Sequence, residues 1–292
     1  MSHLTDEIAS QPQCWAKTIE MADSAGPALP LPGERVAVIG CGSSLNVARC
    51  YAALREAAGH GETDAFAASE VPATRRYDRM VYVSRTGTTT EVLQALRRVR
   101  PGVRTTAITA DPDSPLVREA GTVVLLDFAD ERSVVSSRFI TCSMVLLRAH
   151  LGADLRALPD AAARELARPL PPGLADRTEF TLLGRGWAAA VADEAALKLR
   201  EASRTWAESY PAMEYRHGPI SVSDESTVVW ALGDAPPGLL ADARHTGALV
   251  IASDADPLAA LIGAQRLAAV LAERKGIDPD EPRALSRSVI LA

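Results

Sequence analysis

Short apolar runs alternate with longer segments of helical periodicity along most of the chain. Val36-Ala37-Val38-Ile39 is the first run and ends in Gly40, and a helix is expected from about Leu45 to Ala58. Met80-Val81-Tyr82-Val83 is the second, followed by a helix around Thr90 to Arg98. Thr105 to Thr109 and Thr122 to Leu126 are the third and fourth, and Ser143 to Leu151 reads as a closing helix. Unbroken apolar runs predict strands covered on both faces. Their alternation with helices predicts a parallel sheet between two helical layers.

Proline marks the boundaries of this pattern. Asp6 to Ala25 mixes polar and apolar residues and reads as a helical arm, after which Pro27, Pro30 and Pro32 form a stiff connector. Pro169, Pro171 and Pro172 make a second connector, and then the pattern restarts. Phe180-Thr181-Leu182-Leu183-Gly184-Arg185-Gly186 echoes Val36 to Gly42 at an offset of 180 − 36 = 144 residues, about one domain. Thr227 to Leu232 and Ala248 to Ala252 stand where the next strands belong. The expected fold class is α/β: two tandem three-layer α/β/α domains with mostly parallel, flavodoxin-like sheets. Residues 1–33 form the arm and connector, 34–165 the first domain, and 174–292 the second domain with a C-terminal tail.

Composition removes several function classes. The 292 residues are 47% hydrophobic, 23% charged and only 4% aromatic, with a formal net charge of −6. That is a globular composition, and a sparse acidic excess gives no basic face for nucleic acid. Cys14, Cys41, Cys50 and Cys142 have no CxxC spacing and no histidines at ligand distances, so buried reduced thiols and no metal site are expected. Met1 to Gln11 is polar and acidic, and no apolar stretch reaches the length of a membrane span. Cytoplasm is the expected compartment.

Two loops in the first half carry the chemistry of an anion site. Cys41-Gly42-Ser43-Ser44 follows the first strand, and Ser84-Arg85-Thr86-Gly87-Thr88-Thr89-Thr90 follows the second. Both stand at carboxyl ends of parallel strands, where open α/β sheets bind ligands. Hydroxyls and backbone N–H groups at helix N-termini match phosphate oxygens. Capping of the two helices by Ser and Thr is the alternative explanation. Gly40-Cys41-Gly42 is a fragment of a dinucleotide fingerprint, but Leu45 occupies the third glycine's place, so no nicotinamide site is expected.

The second half offers acid–base groups. A helix is expected over Ala192 to Glu208, with Glu194, Lys198 and Glu201 on one face at spacings of four and three. A solvated surface ion pair satisfies the same spacing. His217 lies in Glu214-Tyr215-Arg216-His217-Gly218-Pro219, a turn rather than a regular helix. Moving a carbonyl between neighbouring sugar carbons requires a base, a group that opens the ring, and donors for the enediolate; a Glu and a His suit the first two roles.

At this point the chain resembles the sugar isomerase (SIS) family in its double-domain form, and within it the isomerase halves of the glucosamine-6-phosphate synthases. The resemblance rests on the Glu7-Ile8…Gln11-Pro12 arm, the two hydroxyl loops, and Glu194-Ala195-Ala196-Leu197-Lys198-Leu199-Arg200-Glu201. It extends through Arg216-His217-Gly218-Pro219 to Asp280-Glu281-Pro282-Arg283 and Ser288-Val289. It implies phosphate binding by Ser43, Ser44, Ser84, Thr86 and Thr89, with Arg85 where the family has Gln, and sugar contacts near Val134 and Ser136. It makes Glu201 the proton-shuttling base beside Glu194 and Lys198. His217 becomes the ring-opening histidine, reaching into the neighbouring subunit's site of a homodimer.

Two departures shape the expectation. Met1 begins just before the arm without a nucleophilic N-terminal Cys, so no use of glutamine by this chain is expected. In place of the family's Ala-Lys-Ser-Val segment stands Ser286-Arg287-Ser288-Val289, and a guanidinium stays protonated and forms no imine with a ketose. Ser286, Arg287 and Arg85 remain candidates near the substrate. The resemblance implies a cofactor-free isomerase, with or without deamination, acting on a hexose 6-phosphate. A deglycase of phosphorylated sugar–amine adducts and a non-catalytic sugar-phosphate sensor are the alternatives.

Overall fold

Nine short strands form two separate parallel sheets in the computed structural model, which describes residues 2–291. The elements in chain order are α1 (His3–Ala9), α2 (Gln11–Ala25), β1 (Val36–Gly40), α3 (Ser43–Ala57), β2 (Thr63–Ala67), β3 (Arg79–Val83) and α4 (Thr90–Arg97). They continue with β4 (Arg104–Thr109), α5 (Pro115–Glu119), β5 (Thr122–Leu125), α6 (Arg138–His150) and α7 (Leu158–Ala167). The rest are β6 (Glu179–Gly184), α8 (Trp187–Ser203), β7 (Trp206–Pro211), β8 (Thr227–Leu232), α9 (Leu239–His245), β9 (Leu249–Ser253) and α10 (Pro257–Arg274). No helix among the described residues is long and apolar enough to cross a membrane.

The chain divides into two compact units whose limits do not follow the linear halves. The first comprises Gln13–Arg132, Ser136–Arg156 and Ser286–Ala292; the second comprises Met1–Pro12, Ser133–Val135 and Ala157–Leu285. The first unit holds five strands in the order β2-β1-β3-β4-β5, and the second holds four in the order β7-β6-β8-β9. Both are the doubly wound order expected from the strand–helix alternation: the chain goes to one side after the first strand and then to the other. Right-handed crossovers taken in opposite directions put the connecting helices on opposite faces.

Packing bears this out. In the first unit Ala37, Ile39, Met80 and Tyr82 face Val92, Leu93 and Leu96 of α4 and Leu116 of α5. The intervening strand residues, Val36 and Val38, are equally buried, on the side where α3 packs on β1 and against α6. Trp15 of α2 is fully buried in the same unit and its indole N–H donates to Thr141 Oγ1 at 2.9 Å. In the second unit Leu183, Val229, Leu239 and Ala243 enclose Tyr215, while α8 and α10 pack together.

The central strands and first helices fall where the apolar runs place them, but four elements differ from expectation. The edge strands β2 and β7 are half-exposed, so neither Thr63–Ala67 nor Trp206–Pro211 shows the apolar run by which a buried strand is read. The helix expected over Ala192 to Glu208 runs instead from Trp187 to Ser203, because Arg204 adopts a left-handed conformation (φ 50°, ψ 37°) that ends it. The arm is two helices, with a break at Ser10.

The two units share one detail of backbone. Gly42 (φ 54°, ψ −125°) and Gly186 (φ 58°, ψ −128°) make the same turn between the central strand and its helix. Two residues earlier, a Cβ on Gly40 would lie 2.5 Å from the Ser44 carbonyl carbon, and one on Gly184 would lie 2.0 Å from the Ala188 carbonyl oxygen. The obstructing atoms are backbone, so the strand and helix must separate to admit a side chain. Gly40→Ala and Gly184→Ala are each expected to destabilise the protein by about 2 kcal/mol or more, in line with overpacked cores. Gly26→Ala, where nothing lies within 4 Å, is the control expected to change stability little. Urea midpoints of the three variants check the comparison.

Candidate active site

The turn after β1 delivers Ser43 and Ser44 to the first turn of α3, with Ser44 N–H donating to Cys41 O at 3.0 Å and Leu45 N–H to Gly42 O at 2.9 Å. Both serines are buried, as is Ser84 at the end of β3. The loop after β3 folds on its own hydroxyls: Gly87 N–H donates to Ser84 Oγ at 3.2 Å, and Thr88 Oγ1 donates to Thr86 Oγ1 at 3.0 Å. Ser43, Ser44, Ser84, Thr86 and Thr89 therefore all lie on strand-to-helix turns at the carboxyl ends of neighbouring strands of one sheet. The equivalent turn of the second unit carries Arg185, Gly186, Trp187 and Ala188, so its backbone is repeated without the hydroxyls.

The C-terminal segment packs on the second loop. Thr88 Oγ1 lies 2.9 Å and Thr89 Oγ1 3.3 Å from Ser288 Oγ, and Thr90 N–H donates to Val289 O at 3.1 Å. Ser286 and Arg287 precede this contact. Ser286 Oγ donates to Ser288 O at 2.8 Å and Arg287 Nη2 donates to Asp130 Oδ1 at 2.8 Å, with both charged side chains about half exposed.

Arg85 has a different setting from the loop hydroxyls. Its side chain is 7% exposed and Nη1 donates to Glu131 Oε2 at 3.0 Å, while Glu131 is wholly buried. Glu131 also accepts from Ser136 Oγ (2.6 Å), Ser137 N–H (2.6 Å), Ser137 Oγ (2.8 Å) and Arg138 N–H (2.7 Å). It thus binds the orphan N–H groups at the start of α6 and takes the Ser136 hydroxyl with it. Burial by itself would raise the Glu131 carboxyl. The Arg85 charge, then the hydrogen bonds of Ser136 and Ser137, outweigh burial and hold it below the usual carboxylate range. Sequence reasoning passed over Glu131; its signal was an acidic residue a few positions before a helix opening on serines. Val134 belongs to the second unit, where its N–H donates to Asp280 O at 3.0 Å.

In the second unit, α8 brings Glu194, Lys198 and Glu201 together. Lys198 Nζ lies 3.3 Å from Glu194 Oε1 and 2.5 Å from Glu201 Oε2. The solvated ion pair allowed by the spacing is not what forms: Glu194 is 0% exposed and Lys198 2%, whereas Glu201 is 21% exposed. Two ions are thus withdrawn from water to hold a third at the surface, an arrangement costly for stability alone. The end of α8 is braced by Lys275, whose Nζ donates to Ser203 O at 2.9 Å and Thr205 Oγ1 at 2.6 Å, and whose pKa is lowered by burial. Glu201 opens on a cleft of about 260 Å³ lined with Arg200, Arg204, Arg283 and Leu285.

His217 ends the short turn Glu214–His217 with its side chain exposed, before Gly218 at φ 137°. Tyr215 anchors the turn in the core and shares a hydrogen bond with Ser223 Oγ at 2.8 Å, while Arg216 pairs with Asp242 at 2.6 Å. The arm residues are structural: Gln11 Nε2 donates to Gln265 Oε1 at 2.7 Å, Glu7 accepts from the Ser133 hydroxyl, and Asp280 accepts from the His3 and Leu4 N–H groups.

Because the Glu131 carboxylate pairs with the buried Arg85 charge at 3.0 Å, Glu131→Gln is expected to cost about 3 kcal/mol. The folded-state pKa is depressed, so the wild-type advantage is complete above the unfolded carboxylate value of about 4.3. It is lost as pH falls through the lower folded value. Denaturation of both proteins across that range measures the gap.

Residues 32–151 match the model of the SIS domain family. The glutamine–fructose-6-phosphate aminotransferase (isomerizing) of Pyrobaculum aerophilum is 31% identical over 261 residues, covering 73% of this chain and 43% of that one. The chain spans about half the length of the curated relatives it matches. Among solved structures, a glucosamine-6-phosphate deaminase from Thermotoga maritima superposes with a TM-score of 0.84 at 26% identity, covering 99% of this chain and 100% of that one. The tagatose-6-phosphate ketose/aldose isomerase of Escherichia coli shares the fold at 19% identity, with a TM-score of 0.82 over 98% and 97% of the two chains. With a SIS domain at residues 32–151 and relatives of this kind along its length, the chain belongs to the SIS family.

Proposed function

We propose that the chain is a phosphosugar isomerase, aldose–ketose or deaminating, acting on a hexose 6-phosphate or amino-hexose 6-phosphate. The observation that carries this reading is Glu201: a partly exposed carboxylate whose position is set by a buried lysine, itself held by a buried glutamate. Glu201 takes the proton next to the carbonyl and returns it to the neighbouring carbon, and Lys198 is the positioning residue. Ser43, Ser44, Ser84, Thr86 and Thr89 hold the phosphate, with the N-terminal turns of α3 and α4 adding backbone donors. Val134 and Ser136 contribute on the sugar side.

His217 opens the ring. Its exposure on a turn supports a role in the site of the neighbouring subunit of a homodimer. Arg287 replaces any imine-forming lysine with a guanidinium paired with Asp130, and Ser286 precedes it in the chain. Nothing in the two units is assigned to glutamine hydrolysis or to a cofactor, and the proposal covers the sugar chemistry alone. The relatives' metabolic chemistry supports a cytoplasmic setting.

A second reading, hydrolysis of a phosphorylated sugar–amine adduct to amine and sugar phosphate, uses the same proton transfer with water as co-reactant. The arginine lining of the Glu201 cleft favours it.

Incubation with fructose 6-phosphate, glucosamine 6-phosphate and galactosamine 6-phosphate in deuterated water tests the proposal. Deuterium is expected at C1 or C2 of the substrate by NMR, with ammonia where the reaction deaminates. Glu201→Gln is expected to slow exchange by at least about a hundredfold, the usual contribution of a general base, while binding changes little. Full activity of that variant would remove Glu201 as the base.

A further inference from the structure

The wall of the Glu201 cleft carries more positive charge than proton transfer needs. Arg200, Arg204 and Arg283 line it together with Glu201 and Leu285, while Glu201 is already paired with Lys198 at 2.5 Å. Arg200 is steadied by a hydrogen bond from Nη1 to Ala207 O at 2.6 Å. Neither Arg204 nor Arg283 forms an ion pair with a carboxylate of the described residues. A lone enediolate oxygen is served by one or two donors, so three guanidinium groups point to a second anionic group on the ligand.

Backbone strain marks the same place. Among the described residues the two non-glycine residues with φ in the left-handed region are Arg204 (φ 50°) and Ala284 (φ 63°). Arg204 lines the cleft, and Ala284 lies between two lining residues, Arg283 and Leu285. Glycine or asparagine would end α8 at position 204 with less strain. An arginine placed there, at a cost in stability, is accounted for by what its side chain does.

We propose that this cleft binds a carboxylate carried by the substrate near the carbons at which Glu201 acts. The substrate class is thus a sugar phosphate bearing a carboxylate rather than a neutral-headed hexose 6-phosphate. The planar forks of guanidinium groups match a carboxylate in geometry and charge, and Leu285 supplies an apolar wall for the carbons that bear it. The inference rests on the reading of Glu201 as the base. The carboxylate belongs either to an amino acid joined to the sugar or to the sugar itself.

Calorimetric titration with matched ligands tests it. The first pair is the 6-phosphofructosyl adducts of glycine and methylamine, which differ in the carboxylate. The second is 2-amino-2-deoxygluconate 6-phosphate and glucosamine 6-phosphate. Wild type is expected to bind one carboxylate ligand at least about tenfold tighter than its neutral match, the scale of a charged hydrogen bond. The pair that shows the preference identifies the carboxylate's source.

Arg204→Asn keeps a residue that tolerates the left-handed backbone. It is expected to fold at least as stably as wild type, to lose most of the preference, and to bind the neutral ligands within twofold of wild type. Arg283→Gln should weaken the same ligand. Equal affinity within both pairs, no binding of either carboxylate ligand, or a preference retained in Arg204→Asn would overturn the proposal. Deuterium exchange is read separately. Exchange without discrimination leaves Glu201 as the base and removes the carboxylate site; discrimination without exchange does the reverse.

Discussion

Both units depend on a helix's first turn lying directly against the end of the central strand, an approach that admits no side chain on the strand residue. Gly40 and Gly184 meet this demand, since a Cβ on either would strike the backbone of Ser44 or Ala188. Gly42 and Gly186 then turn the chain with nearly identical dihedral angles. The constraint acts on backbone alone, so it leaves the following side chains open to divergence. In the first unit they are buried hydroxyls, and the helix N-terminus becomes a ready anion cradle. In the second they are Trp187 and Ala188, and the proposed base, Glu201, lies farther along the same helix.

Each unit buries charge, and the two cases serve different ends. Arg85 and Glu131 close a network that ties the hydroxyl loop, the start of α6 and Ser136 into one rigid group within the first unit. Every oxygen of Glu131 is used, which is the condition under which a buried ion pair is tolerable. On α8 the buried pair leaves Glu201 partly open to solvent while Lys198 restrains it. That combination of fixed direction and free access suits the role proposed for Glu201. Arg85, a candidate for meeting the substrate, also braces the loop through Glu131.

The legible parts of the sequence were those governed by period and spacing. Fully buried strands read as apolar runs, the repeated glycines announced the doubled unit, and i,i+3 and i,i+4 spacing put Glu194, Lys198 and Glu201 on one face. Edge strands β2 and β7 were missed because half-exposed strands lack an apolar run. Glu131 was missed because its role lies in contacts with residues five or more positions away and with a guanidinium on another loop. The docking of Ser288 and Val289 on Thr88, Thr89 and Thr90 joins segments about two hundred residues apart, and no local signal encodes such a pairing.

The end of α8 shows where local rules and function part. Helix propensity continues past Ser203, and an arginine is a good helix former. A helix running to Glu208 would have carried Arg204 on as one more turn of α8 and consumed β7. The left-handed residue stops the helix, frees the chain for the edge strand, and turns residue 204 toward the cleft that Glu201 shares. The tail repeats the device at Ala284, between Arg283 and Leu285 on the same wall. Local preference fails at both positions where cationic side chains converge beside the proposed base. Disagreement between propensity and structure is expected to concentrate at sites selected for binding rather than stability.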